Sequence, residues 1–122
     1  MDAELTRVTI GAFFEVYNTL GHRFLESVYA CALCNELARR GVRFEREVAI
    51  GVRYKGETVG VFRADVLVES RLVIELKATA SIVPADRRQL FNYLRSTDLE
   101  LGLLLCFGRR ATFQRVATPP RR

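Results

Sequence analysis

Two segments, Phe62-Arg63-Ala64-Asp65-Val66-Leu67-Val68 and Leu72-Val73-Ile74-Glu75-Leu76-Lys77, constrain this chain more than any other feature. Their even positions are all apolar, while the odd ones include Arg63, Asp65, Glu75 and Lys77. Strand side chains alternate between faces, so each segment reads as a strand with one apolar face and one face bearing charge. A connection of only Glu69-Ser70-Arg71 makes the two a hairpin. The three-residue loop sets Val68 against Leu72, Val66 against Ile74 and Ala64 against Leu76, and every pair on that face is then apolar. A two-residue loop would set Asp65 against Leu76 and mix the faces. The same register places Asp65 directly opposite Glu75, with Cβ atoms about 4.5–5.5 Å apart, and Arg63 opposite Lys77.

Opposed carboxylates repel unless a shared proton, a basic side chain or a divalent cation compensates them. Clustered hard oxygen ligands suit Mg²⁺ or Mn²⁺, which take one or two carboxylates together with water and phosphate oxygens. Lys77 lies two residues beyond Glu75 on the same face and can orient or deprotonate a water and stabilise phosphate charge. The plainer reading is a surface ladder in which Arg63 and Lys77 neutralise Asp65 and Glu75. Glu26 favours the first reading, because it heads the stripe of Tyr29, Ala30, Leu33 and Leu37, where a carboxylate needs a partner. A first-turn acid complementing a helix dipole is its simpler role. Gln89 and Tyr93 stand one helical turn apart and can point to one place.

Around this centre the chain orders as α-α-β-β-β-α-β-β. Apolar residues recur with a helical period over residues 5–20, and Gly21 stops that helix. A second helix spans residues 24–40 and closes at Gly41. Strands follow at residues 44–54, 58–68 and 72–78, with Lys55-Gly56-Glu57 as the first turn. Pro84 opens a helix that occupies residues 85–97, and strands at 101–107 and 111–116 complete the order. Three strands on short loops predict an antiparallel meander, and the helical crossover lets the apolar 101–107 strand join in parallel. The expected fold is a mixed α/β domain, a mixed central sheet flanked by helices. It spans residues 1–117, with residues 118–122 a frayed basic tail.

Charge is segregated. Residues 1–86 carry eleven basic and twelve acidic side chains, a net of −1, whereas residues 87–122 carry eight arginines against Asp98 and Glu100, a net of +6. Seventeen of the nineteen basic residues are Arg, whose planar fork suits phosphate, so charge alone leaves two readings, a polyanionic partner or a solvated basic surface. No apolar run approaches the roughly 18–20 residues that span a bilayer, and the N-terminus lacks a signal peptide's apolar stretch. Three cysteines cannot pair evenly, which points to a reducing, cytoplasmic compartment. Cys31 and Cys34 lie within a helix, Cys106 sits on an apolar strand and the lone His22 is remote. All three cysteines are therefore read as small buried residues rather than zinc ligands, and His22 as a surface or capping residue.

Asp65, then Glu75-Leu76-Lys77, then Gln89-Leu90-Phe91-Asn92-Tyr93 resembles the PD-(D/E)XK nuclease superfamily. The run Leu20-Gly21-His22-Arg23-Phe24-Leu25-Glu26-Ser27-Val28-Tyr29, with Phe62-Arg63-Ala64-Asp65 and Asn92-Tyr93-Leu94, resembles its GxxExxY protein family. The glycine that names that family is Arg23 here. The resemblance implies a restriction-endonuclease-like α-β-β-β-α-β core and a Mg²⁺- or Mn²⁺-dependent phosphodiester hydrolase, in which metal-activated water attacks nucleic acid, DNA rather than RNA. It assigns Asp65, Glu75 and the helix-borne Glu26 to the metal, makes Lys77 the catalytic lysine, and gives Gln89 and Tyr93 supporting or substrate-contacting roles. The alternative is a nuclease-fold module with little or no turnover that binds nucleic acid or a protein partner. A chain of this size has little material for a substrate channel, so a second copy or a partner protein is expected to help grip the substrate.

Overall fold

A computed structural model describes residues 2–119. The helices are α1 (Asp2–Leu20), α2 (Glu26–Arg39) and α3 (Pro84–Arg95), and the strands are β1 (Phe44–Tyr54), β2 (Glu57–Val68), β3 (Leu72–Lys77), β4 (Leu101–Phe107) and β5 (Ala111–Ala117). One five-stranded sheet runs in the order β1-β2-β3-β4-β5. β3 and β4 are parallel, joined through α3, and the other neighbours are antiparallel. This is the mixed α/β architecture expected from the element order.

The helices bury their stripes on opposite faces of the sheet. Phe13 and Val16 of α1 and Tyr29, Leu33 and Leu37 of α2 pack on Val66, Val68, Leu72, Ile74, Leu76, Leu103 and Leu105. Leu90 and Leu94 of α3 cover the other face with Phe62, Ala64, Leu67, Val73 and Leu104. Burying one such Leu or Phe side chain contributes about 1.5–3 kcal/mol, so these two layers dominate the fold's stability. Thr6 and Thr9 are fully buried in α1, places that an apolar period alone does not mark.

Both hairpin turns follow their loop chemistry. Lys55 and Gly56 have φ of +49° and +85°, a two-residue turn that pairs Tyr54 with Glu57. Glu69 and Ser70 are also left-handed, and the three-residue loop pairs Val68 with Leu72 and Val66 with Ile74, as predicted. α2 starts at Glu26, later than its apolar period suggests, because Leu25 is extended at its N-cap. Thr118, assigned to the tail, is buried, and its N–H donates to the Glu100 carbonyl at 3.0 Å. Arg121 and Arg122 lie outside the described residues.

Beyond Val66 the expected register gives way to a fork. The β2–β3 ladder pairs Val68, Leu67 and Val66 with Leu72, Val73 and Ile74 and goes no further. Asp65 does not sit in a ladder pair with Glu75, nor Arg63 with Lys77; instead, the Asp65 carboxylate Oδ2 accepts the Leu76 N–H at 2.7 Å. Ala64 does not join Leu76 either: it packs in the α3 layer, while Val66 lies under α1 and α2. Residues two apart share a strand face unless the backbone kinks between them, so β2 changes faces at Asp65. β1 does the same beside it. Arg46 pairs with Val66 and Val48 with Ala64, but Glu47 between them has φ +52°. Phe44 then belongs to one layer and Val48 to the other.

Candidate metal and phosphodiester site

The fork brings side chains from both layers together. Asp65 stands where β2 leaves β3, bound to the β3 backbone through Leu76. Strand alternation carries Glu75 and Lys77 to the α3 side, which Val73 shares. From that side the Lys77 ammonium reaches the Asp86 carboxylate at 3.6 Å. Asp86 is itself fixed in the first turn of α3, where its Oδ2 accepts the Val83 N–H at 3.0 Å. From the opposite layer the first turn of α2 presents Glu26 to a cavity of about 270 Å³, lined also by Ser27, Ala30, Arg46, Glu47, Asp65 and Leu76. A larger groove of about 760 Å³ between α1 and α2 shares only Ser27 with it.

Tyr29 sets the position of Glu26. Its ring is fully buried and stacks on Phe107 with centroids 4.1 Å apart. Its hydroxyl donates to the Gly21 carbonyl at 2.6 Å and accepts the Phe24 N–H at 3.3 Å. The one side chain thus clasps the whole connection that delivers Glu26. Within that connection Arg23 has φ +88°, a left-handed conformation that suits glycine. Arg23→Gly is expected to stabilise the fold by about 1–2 kcal/mol, the usual cost of left-handed backbone in a residue with a Cβ. A thermal melt checks this, and an unchanged or lower Tm would contradict it.

Electrostatically the acids form a frustrated group. Burial pushes the Glu75 carboxyl up to about 8, the neighbouring Asp65 and Glu26 push the same way, and Lys77 opposes them. Burial also raises Asp65, against the Leu76 hydrogen bond and the Lys77 charge. The two carboxyl groups lie close enough that each acts on the titration of the other. The buried Oε2 of Glu75 has no hydrogen-bond partner. An orphaned hard oxygen beside a second carboxylate fits a divalent cation, since Mg²⁺ needs only one or two protein carboxylates. Among the described residues no three of His, Cys, Asp and Glu converge as a ready ligand cage. Glu26 is exposed at its helix end and acts on Glu75 as a nearby charge.

The remaining candidates separate from this group. Tyr93 stacks on Phe62 at 4.2 Å and packs with the α3 layer, and Gln89 is exposed on the preceding turn. No hydrogen bond among the described residues joins either to the acids. Cys34 and Cys106 are buried as expected, but Cys31 is exposed on α2. Asp86 escaped the sequence reading, although Pro84-Ala85-Asp86 is a helix-start signal that could have found it. Glu47 and Arg46 escaped it as well.

The profile of the PD-(D/E)XK nuclease superfamily matches residues 3–116. The chain belongs to the PD-(D/E)XK nuclease superfamily. The crystal structure of SSO0001 superposes with a TM-score of 0.57 at 22% identity, over 79% of this chain and 52% of that one. At that identity the likeness concerns the fold, and this chain spans about half the length of SSO0001. Comparison with curated proteins found no match. Asp65 and Glu75-Leu76-Lys77, the residues on which the sequence resemblance rests, lie at the fork. No helix among the described residues is long and apolar enough to cross a membrane.

Proposed function

We propose that this chain is a divalent-metal-dependent phosphodiester hydrolase acting on nucleic acid, with Asp65 and Glu75 as the metal-holding pair. The observation that carries the reading is the buried Oε2 of Glu75, left without a hydrogen-bond partner near the Asp65 carboxylate at the opening of the sheet. A bound Mg²⁺ or Mn²⁺ would supply Lewis acidity toward a phosphoryl oxygen and make a bound water more acidic. The chain's own residues do the rest. Lys77, steered by Asp86, holds positive charge beside the acids, where phosphoryl charge develops. Glu26 faces the pair from α2 and can accept a proton from an attacking water. Gln89 and Tyr93 lie on α3, the helix that supplies Asp86, and support the substrate strand there. The match of Arg23 to the glycine of GxxExxY is supported by its φ of +88°, a conformation that explains why glycine is favoured at that place.

The test is a panel of single- and double-stranded DNA and RNA incubated with Mg²⁺, Mn²⁺ or chelator. Cleavage that needs the metal and favours DNA is expected. Binding without metal-dependent cleavage of any substrate would contradict it and favour a binding module on the same fold.

A further inference from the structure

We infer that His22, Arg23 and Arg109 form a phosphate subsite next to the acid pair, seating a neighbouring phosphodiester of the strand being cut. The inference rests on the nuclease reading above for the identity of that strand. These three residues line a cavity of about 170 Å³ together with Thr79, Ala80 and Gly108. Its position matters. Lys77 and Cys106 are the last ladder pair of the parallel strands β3 and β4, and the cavity begins one residue beyond each. Ligands of α/β sheets gather outside the carboxyl ends of parallel strands, and this cavity continues that edge away from Lys77.

The walls are built to stay put. The Tyr17 hydroxyl lies 2.7 Å from both the Gly108 and Arg109 carbonyls. Gly108 packs so tightly on the β3 exit that a Cβ there would sit 2.6 Å from the Thr79 and Ala80 carbonyl oxygens. The backbone that carries Arg109 is thereby fixed against the backbone that follows Lys77.

The side chains have the chemistry of an anion site. No carboxylate lines the cavity, and neither Arg23 nor Arg109 forms a salt bridge among the described residues. Guanidinium groups bind phosphate in bidentate fashion, and an imidazole adds a further donor. Arg23 holds this place on left-handed backbone that glycine would occupy without strain, and such strain concentrates at functional sites.

The test reads binding rather than cleavage, using a labelled DNA oligonucleotide in chelator and fluorescence anisotropy across a salt series. Arg23→Gly combined with Arg109→Ala is expected to weaken affinity at least tenfold and to reduce the slope of log K against log salt by about one. Arg110→Ala removes one charge from the same turn outside the cavity and should change affinity less than threefold. Arg23→Gly alone should melt higher than wild type yet bind more weakly, a combination that damage to the fold cannot produce. Inorganic phosphate separates the two sources of the anion. Millimolar phosphate should compete only weakly, and competition as tight as oligonucleotide binding would overturn the strand assignment. Equal losses in Arg110→Ala and the double variant, or no loss in the double variant, would overturn the subsite while leaving the nuclease reading intact. Persistence of the specific loss in a protein that cleaves nothing would support the subsite and strike the nuclease reading alone.

Discussion

Lys77→Ala is expected to lower cleavage by roughly 10²-fold or more, the usual scale for removing a general acid–base group or a charge stabiliser. Lys77 points away from the layer of Leu72, Ile74 and Leu76, so that packing survives its truncation. Its ammonium is partly exposed and pairs with the half-buried Asp86, so the loss to stability is modest. An ammonium donates and cannot ligate a cation, so divalent-ion binding persists. The loss therefore appears in the chemical step more than in substrate affinity. Single-turnover cleavage and binding of an uncleaved substrate separate the two. A variant that cleaves as fast as wild type would remove Lys77 from the mechanism. Asp86→Asn serves as the companion: it frees Lys77 while keeping an acceptor for the Val83 N–H, and should cause a smaller loss of the same kind.

The second large effect is a pH dependence of stability that added metal offsets. Glu75 titrates near 8 in the folded chain and near 4.5 when unfolded, so between those values the folded state holds the extra proton. The stability associated with that proton is complete below about pH 4.5 and is lost as pH rises through 8. Asp65 is raised as well and adds a loss of the same sign. Metal-free protein should thus be less stable at pH 8.5 than at pH 5, by an amount on the order of a few kcal/mol. Glu75→Gln carries no titrating group and should flatten most of that slope. Millimolar Mg²⁺ or Mn²⁺ should restore stability at the alkaline end by mass action, about 2.7 kcal/mol when the ion stands at a hundred times its Kd. Urea unfolding at the two pH values, in chelator and in metal, measures all of this. A wild type whose stability rises from pH 5 to 8.5 in chelator would contradict the assignment.

The sheet order and most of the candidate site residues are legible because alternation and loop length carry them. Glu69-Ser70-Arg71 sets Val68 against Leu72, and the fully apolar 101–107 segment had to be a buried strand. Alternation failed at Asp65 because it assumes an unbroken pleat. Nothing in Arg46-Glu47-Val48 announces a left-handed residue, since Glu47 is neither glycine nor asparagine. The opposed pair Asp65–Glu75 was therefore drawn as a ladder rung, whereas the chain opens a fork there and lets Asp65 hold the edge of β3. The same kink explains how Glu26 and Lys77, on opposite faces of the sheet, both act on the Glu75 carboxyl. Asp86 stayed hidden because its partner is fixed by the crossover and not by spacing. Arg23 was legible only as a departure from a family pattern; its backbone angle explains the departure in physical terms.

The central claim is that Asp65 and Glu75 hold a divalent ion. A calorimetric titration of Mn²⁺ into wild type and into Glu75→Gln, each folded and in the absence of nucleic acid, tests it most directly. The account predicts binding by the wild type that is lost, or weakened at least tenfold, in Glu75→Gln. Equal Mn²⁺ binding by both proteins, or none by the wild type, would contradict it.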